Sequence, residues 1–540
     1  QDYRYQELLN KAREKIFSMD INYLLIWMVS ISCISQIIAG IRTARQALGW
    51  IVVSGFILAV TAILSYFTPT LAGLIAGGLW IILIVTPAIA IKYFNRLITQ
   101  QKFKQAKRIA SIVRLLHPAD GWREQPELVK ALEMAQEGLI HEATAIFQRY
   151  QLSTTSIGRY ATVILYQMNS HWSELLQWIR ENITQKFLKK ESYMQVIYLR
   201  CLGETGDING LLKAWQQLKL NIGRINPGTH NFARMLVFAF CGEKEQVEKL
   251  FNDSLAIYPE TVKKFWLATA EQAVGNQEIA KELLLNLSDS KDIRIRKAVE
   301  WRLSKPCIIA SHELNEQSQL VIDQMVAEIK QEARYKGKRE VQRRWQPKVT
   351  FLIIGLNLMA FALEIRLGGS TNIYTLYNLG ALVPQQVLAG DWWRLLSATF
   401  LHFGWLHLIM NMLGLYLFGR FVEFVLGIKQ YIFVYLATGI GSMLAVTWMS
   451  ISGYSQAGFV VGASGAVMGL VGVSIAIFLR DWLRDKGRIA SQNLRKFLLI
   501  ILLQTLFDLT TPHISFTGHI SGAIIGFLVG MIVKHDGQVK

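Results

Sequence analysis

Long apolar runs separated by polar segments dominate the chain. Three lie near the start, at residues 21–40, 47–67 and 71–94, after a polar segment at 1–20. Six more follow near the end, at residues 349–367, 400–426, 430–450, 461–480, 495–510 and 513–533. Because about 20 apolar residues in a helix cross a bilayer, the pattern predicts about three transmembrane helices within residues 21–104. It also predicts a six-span domain within residues 346–540.

The middle of the chain, residues 105–345, has no long apolar run and instead shows the period of amphipathic helices. Turn residues recur at intervals typical of helix-turn-helix repeats such as tetratricopeptide (TPR) repeats; they are Gly138, Asn169, Gly206, Gly242 and Gly275. We therefore expect a soluble, TPR-like α-helical domain, with an irregular helical bundle as the alternative. The predicted fold class is all-α, a polytopic membrane protein with a soluble helical middle domain.

Composition agrees with a membrane protein, since 52% of the residues are hydrophobic and only 18% are charged. The net charge of +18 raises the possibility of nucleic-acid binding, but the basic residues crowd the ends of the apolar runs, as in cytoplasmic flanks of membrane spans. We expect a lipid bilayer and no nucleic acid as the partner. The same rule predicts a cytoplasmic middle domain and C-terminus.

Polar side chains within the last six runs are few, and each is costly in hydrocarbon. Ser464 lies 16 residues before Arg480 and His519 lies 15 before Lys534, so both sit at a similar depth below the outer surface, about 22–24 Å from the cytoplasmic flank. Asn411 fits the same layer, and His407 lies one helical turn higher. The sequence thus predicts a polar layer that opens toward the outer face.

Small residues mark one face of the fourth and sixth of these runs. The fourth has Gly465, Gly469 and Gly472, and the sixth repeats glycine every four residues from Gly518 through Gly522 and Gly526 to Gly530. Small faces let two helix backbones approach closely. A short serine side chain needs that approach to reach a histidine on another helix, whereas helix dimerisation alone would explain the glycines but not the matched polar residues.

The chemistry that these residues suggest is nucleophilic catalysis. Ser464 would attack a carbonyl if His519 took its proton and later gave it to the leaving amine. Asn411, His407 and the Ser464 backbone N–H are candidate donors to the oxyanion. No acidic residue looks well placed as a third member, so the sequence predicts a dyad. Glu423, near the cytoplasmic end, is expected to pair with Arg420 or to cap its own helix.

Residues 349–535 resemble the rhomboid family of intramembrane serine proteases. The resemblance rests on five motifs in order, namely Trp393-Arg394, His407-x-x-x-Asn411, Gly419-Arg420-Phe421-Val422-Glu423, Gly462-Ala463-Ser464-Gly465 and His519-x-x-Gly522-x-x-x-Gly526. It implies a catalytic pair of Ser464 and His519, an oxyanion hole lined by His407 and Asn411, and cleavage of transmembrane proteins without a cofactor. Many members have an aromatic residue where this chain has Met468, whose thioether is a weaker partner for the histidine ring.

Other functions compete with proteolysis. A metal site at His402, His407 and His519 is disfavoured, because two histidines five residues apart share a helix face poorly, and we expect no metal. Trp393 and Arg394 are expected to anchor the loop at the interface.

The alternative function is a non-catalytic rhomboid-like protein that binds membrane clients. Under either function, residues 105–345 are a candidate surface for a soluble partner or a substrate tail.

Overall fold

The computed structural model describes residues 21–43, 47–151, 155–225, 227–290, 292–344, 346–454, 458–485, 488–511 and 515–533. Over these residues the chain is helical apart from loops and one isolated bridge between Leu382 and Val460. Two compact units emerge, Met28–Glu332 and a second that joins Gln1–Trp27 to Ala333–Lys540. The all-α prediction is confirmed. The domain boundaries drawn from the sequence stay predictions.

Three helices near the start are long and apolar enough to cross a membrane. They are α1 (Ile21–Thr43), α2 (Leu48–Phe67) and α3 (Ala72–Thr99), and α3 contains a π-helical turn at Ile81–Val85. Their positions match the first three apolar runs.

The unit Met28–Glu332 also holds the amphipathic helices of the middle segment, of which the last extends beyond Glu332. They are α4 (Phe103–Leu116), α5 (Gln125–Gln136), α6 (Ile140–Gln151), α7 (Ser156–Met168), α8 (Trp172–Asn182), α9 (Gln185–Leu188), α10 (Ser192–Glu204), α11 (Ile208–Ile225), α12 (Pro227–Phe240), α13 (Lys244–Asn252), α14 (Glu260–Val274), α15 (Gln277–Leu285), α16 (Ile293–Ser304), α17 (Ala310–Glu313) and α18 (Glu316–Arg344). Four of the five predicted turn residues are glycines with left-handed backbone, Gly138, Gly206, Gly242 and Gly275. The assignment to TPR-like repeats stays a prediction.

A buried ion pair lies inside this helical stack. Arg302 Nη2 is 2.8 Å from Glu204 Oε2, and both side chains are 1% exposed. Arg302 Nη1 also donates to Cys307 Sγ at 2.8 Å. A buried charge is tolerated only when it is paired, so this pair fixes how α10, α16 and the segment after α16 pack together.

The start of α2 is tied to the same stack. Asp120 Oδ1 accepts a hydrogen bond from the Gly49 N–H at 3.1 Å, and its Oδ2 lies 3.0 Å from His117 Nε2. The Trp50 ring stacks on His117 with centroids 4.4 Å apart. A carboxylate that accepts from the first N–H groups of a helix offsets their missing partners, so Asp120 caps α2 from outside the helix.

The second unit contains the last group of predicted spans, which run α19 (Lys348–Arg366), α23 (Gly404–Leu426), α24 (Ile428–Ile451), α25 (Ser464–Asp485), α26 (Arg488–Thr510) and α27 (Phe516–Ile532). A π-helical turn at Leu415–Gly419 interrupts α23. The long loop after α19 carries three short helices, α20 (Ile373–Asn378), α21 (Pro384–Leu388) and α22 (Arg394–Ser397). Four of the six, α19, α23, α24 and α25, are long and apolar enough to span by themselves. Helix α27 has 17 residues, close to the lower limit for a span.

Helices α25 and α27 are in backbone contact. A Cβ on Gly522 would lie 2.1 Å from the Gly465 carbonyl oxygen, and one on Gly526 would lie 2.0 Å from that of Gly469. Only glycine permits this approach. The predicted small faces do meet, and they bring the beginnings of the two helices together.

Candidate active site

Ser464 is the first residue of α25, at the end of a turn that the preceding loop holds in place. Gly462, two residues earlier, has φ +127° and donates its N–H to the Ala398 carbonyl at 2.9 Å. Val460 and Leu382 exchange backbone hydrogen bonds of 2.9 and 3.0 Å. The first N–H groups of a helix have no partner within the helix. The Ser464 side chain therefore sits beside backbone donors that suit an anion.

The His407 imidazole faces this turn from α23. A Cβ built on Gly462 would lie 2.8 Å from His407 Nε2 and 3.7 Å from Ser464 Oγ, so both groups border the space that the glycine leaves open. His407 Nδ1 accepts the Phe403 N–H at 3.3 Å. Since a neutral imidazole has one donor and one acceptor nitrogen, the proton of His407 resides on Nε2, which faces the turn.

Asn411 lies one helical turn along α23 from His407. Its Nδ2 donates to the His407 carbonyl at 3.0 Å, and the residue is 5% exposed. An amide nitrogen carries two N–H donors, so the hydrogen bond that holds the side chain uses only one of them.

His519 lies one turn into α27, whose first turn is capped by Ser515 Oγ accepting the Gly518 N–H at 3.1 Å. The residue after Ser464 meets the residue before His519, since a Cβ on Gly465 would lie 3.5 Å from the Gly518 carbonyl oxygen. The structure thus brings the two helix starts that carry Ser464 and His519 side by side.

An acidic residue lies against His519, which the sequence analysis did not anticipate. Asp508 Oδ2, on α26, is 2.7 Å from His519 Nδ1, and Asp508 is buried. The expectation that no carboxylate is well placed is wrong. Asp508 lies at the end of the fifth apolar run, where a polar residue is interpreted as marking the membrane boundary. Only the packing of α26 on α27 brings its carboxylate to the histidine. Its spacing of four from Gln504, another polar residue on that run, was the available signal.

The two residues of the loop motif Trp393-Arg394 differ in burial and in contacts. Arg394 is buried and donates through Nη1 to the carbonyls of Tyr377 and Ala381, at 2.8 and 3.1 Å, and through Nε to Asp391 at 2.9 Å. Trp393 is half exposed. Arg394 therefore gathers the loop whose end, at Ala398, holds the turn before Ser464.

Two buried carboxylates accept backbone N–H groups from other segments of the same unit. Glu423 accepts the N–H groups of Val349 and Thr350, at 3.0 and 2.8 Å, and the Thr350 hydroxyl at 2.6 Å. It therefore caps α19, a different helix from its own, and the expectation of a local cap or a pair with Arg420 is wrong because the cap is formed by chain segments more than 70 residues apart. Glu364 Oε1 accepts the His402 N–H at 2.9 Å.

Met468 is buried one turn after Ser464, in a cluster with Val471, Ile475 and Ala523. Partly buried side chains from α23, α26 and α27 pack against this cluster. The residue thus contributes to the packing below the site.

Comparisons with known proteins find relatives of the segment that contains this site. The family model described as the Rhomboid domain matches residues 389–536. Rhomboid protease GluP of Bacillus subtilis is 37% identical over 204 residues, which is 37% of this chain and 37% of the relative. The Arabidopsis thaliana RHOMBOID-like protein 6, mitochondrial, is 36% identical over 30% of this chain and 51% of the relative.

A shorter relative is covered more fully. Putative rhomboid protease YdcA of Bacillus subtilis is 30% identical over 157 residues, which is 29% of this chain and 71% of the relative. The chain spans only about a third to a half of GluP and RHOMBOID-like protein 6. The segment matched by the family model, residues 389–536, contains Ser464, His519, His407, Asn411 and Asp508. The chain belongs to the rhomboid family.

Proposed function

We propose that the protein is an intramembrane serine endopeptidase that hydrolyses peptide bonds in or near transmembrane segments of other proteins. Ser464 is the nucleophile and His519 its base. The observation that supports the proposal most directly is the contact of α25 and α27 at Gly465 and Gly518, because Ser464 and His519 are the neighbours of these two glycines at the starts of the two helices.

The oxyanion of the tetrahedral intermediate would lie where three donors converge. They are the Ser464 backbone N–H, His407 Nε2–H and the second N–H of Asn411 Nδ2. The tautomer of His407 supports this role, because the Phe403 N–H occupies its other nitrogen. Preorganised donors of this kind typically contribute about 10²- to 10³-fold each to kcat.

The reaction runs in two stages. The Ser464 hydroxyl proton moves to His519 as Oγ bonds to the carbonyl carbon, and the carbonyl electron pair moves to oxygen. His519 then protonates the leaving nitrogen as the C–N bond breaks. Water repeats both steps on the acyl-enzyme, which restores Ser464. The chain's own residues supply each group in this sequence.

The test compares two serines on one helix. Ser474, also on α25, is buried and donates to the Leu470 carbonyl at 2.8 Å, so Ser474→Ala is the matched control. In proteoliposomes, Ser464→Ala and His519→Ala should abolish cleavage of a reporter transmembrane protein, and Ser474→Ala should leave it intact. A fluorophosphonate probe should label the wild type and Ser474→Ala but not Ser464→Ala. Cleavage by Ser464→Ala at the wild-type rate would refute Ser464 as the nucleophile, whereas absence of cleavage and of probe labelling in the wild type would favour the client-binding alternative.

The proposal also covers partners and orientation. The substrate is a transmembrane protein in a lipid bilayer, the site opens toward the outer face, and the middle domain lies in the cytoplasm, where it recruits a soluble partner or a substrate tail. Removing residues 105–345 should then change which of several reporter substrates is cut, and protease accessibility of the middle domain in sealed vesicles should report its side of the membrane.

A further inference from the structure

The His519 imidazole is in contact with a carboxylate. Asp508 Oδ2 is 2.7 Å from Nδ1, with side-chain exposures of 1% for Asp508 and 10% for His519. A polar contact this short and this buried comes from packing that specifies it, because either group left unpaired in hydrocarbon would destabilise the fold.

The hydrogen bonds around Asp508 set the direction of this contact. Gln504 Nε2 donates to Asp508 Oδ1 at 2.7 Å, which leaves Oδ2 for the histidine. A carboxylate only accepts hydrogen bonds, so His519 Nδ1 carries the proton and donates it. Gln504 Nε2 also lies 3.4 Å from Nδ1, but both atoms are then donors and the contact is not a hydrogen bond.

This tautomer is the one that the reaction requires. With the proton on Nδ1, the lone pair of His519 lies on Nε2, the nitrogen that remains to accept the Ser464 proton. When that proton arrives, the ring becomes a cation, and the neighbouring carboxylate stabilises it without itself gaining a proton. Among the described residues, the other titratable ring near this pair is His407, which the Phe403 N–H holds as an acceptor at Nδ1.

We propose that Asp508 is a positioning residue that makes the site a Ser464–His519–Asp508 triad. The inference rests on the proposed function, since it assigns a role within the same reaction. Asp508 holds the His519 ring in one tautomer and one orientation, and Gln504 in turn holds Asp508. The carboxylate comes from α26, so the three residues of the proposed triad lie on three separate helices.

The experiment measures kcat and KM separately for Asp508→Asn, Asp508→Glu and a control, Thr510→Val, in proteoliposomes. Thr510 is exposed on the same helix, and its hydroxyl donates only to carbonyls of that helix, at 2.7 and 3.1 Å. Asp508→Asn should lower kcat by about 10²- to 10⁴-fold at nearly unchanged KM, and its thermal unfolding should match that of Thr510→Val. Asp508→Glu, which keeps the carboxylate, should recover at least about tenfold over Asp508→Asn.

A loss of kcat below about tenfold in Asp508→Asn, or no recovery in Asp508→Glu, would overturn the positioning role. If the Asp508 variants fail to fold, ¹⁵N-histidine NMR of the full-length wild type decides, assigned by the signals missing in His519→Ala. It should show the proton of His519 on Nδ1, and a proton on Nε2 would refute the proposal. Ser464→Ala distinguishes failure of the two proposals. A normal rate in that variant refutes the serine mechanism of the proposed function, whereas a lost rate in Ser464→Ala with an undiminished rate in Asp508→Asn refutes only the role of Asp508.

Discussion

Adding one methyl group at Gly522 should disable the site while leaving its polar residues in place. The new Cβ of Gly522→Ala would lie 2.1 Å from the Gly465 carbonyl oxygen, where ordinary contact begins at 3.4 Å. Because both partners are helix backbone, α25 and α27 must move apart by about 1 Å. A displacement of that size in a catalytic site typically costs about 10²-fold in rate, and overpacking of this kind costs about 1–3 kcal/mol of stability.

Two other glycines calibrate the effect. Gly526→Ala creates the same crowding, 2.0 Å from the Gly469 carbonyl oxygen, but one turn further from Ser464, so it should lose similar stability and less kcat. Gly355→Ala, on α19, points into open space and should gain up to about 1 kcal/mol from the better helix propensity of alanine. Turnover of a reporter substrate and thermal unfolding in detergent measure both quantities. Wild-type turnover and stability in Gly522→Ala would refute the argument from helix contact.

Three further predictions concern residues outside the reaction itself. Glu423→Gln should lower the free energy of unfolding by about 1–3 kcal/mol, because it removes the charge that caps α19 at Val349 and Thr350. Chemical denaturation measures this free energy, and an unchanged midpoint would contradict the capping role. Glu204→Gln should cost about 3–5 kcal/mol by stranding Arg302, and the double variant with Arg302→Met should recover much of that loss. Burial raises the pKa of the Cys307 thiol to about 11, so only about one molecule in a thousand carries the thiolate at pH 8, and iodoacetamide should label Cys307 far more slowly in the native protein than after denaturation.

The helices and their small faces could be predicted from the sequence because both depend on local pattern. An apolar run of about 20 residues has few structures open to it in a bilayer, and the glycines at 465, 469, 522 and 526 need only helical spacing to share a face. Ser464, His519, His407 and Asn411 stand out as candidate site residues for the same reason, since polar residues are rare in such runs.

Asp508 and Glu423 show where this reasoning stops. Each lies at the end of an apolar run, where a carboxylate is unremarkable because water or headgroups can solvate it. Their partners, His519 and the start of α19, are on other helices, and the rotation of one helix against another is fixed by packing rather than by the period of either sequence. A periodic pattern predicts which face of a helix carries the small or polar residues, but not which residues of another helix that face contacts.

The distribution of the site over the chain has a consequence for biosynthesis. In the proposed mechanism, the side-chain oxyanion donors lie on α23, the nucleophile on α25, the carboxylate on α26 and the base on α27, in that order from the N-terminus. A ribosome releases these helices in the same order, so a nascent chain contains Ser464 before it contains His519. Until α27 inserts against the glycine face of α25, the proposed nucleophile has no base, so the proposed protease would be inactive toward other membrane proteins at the translocon.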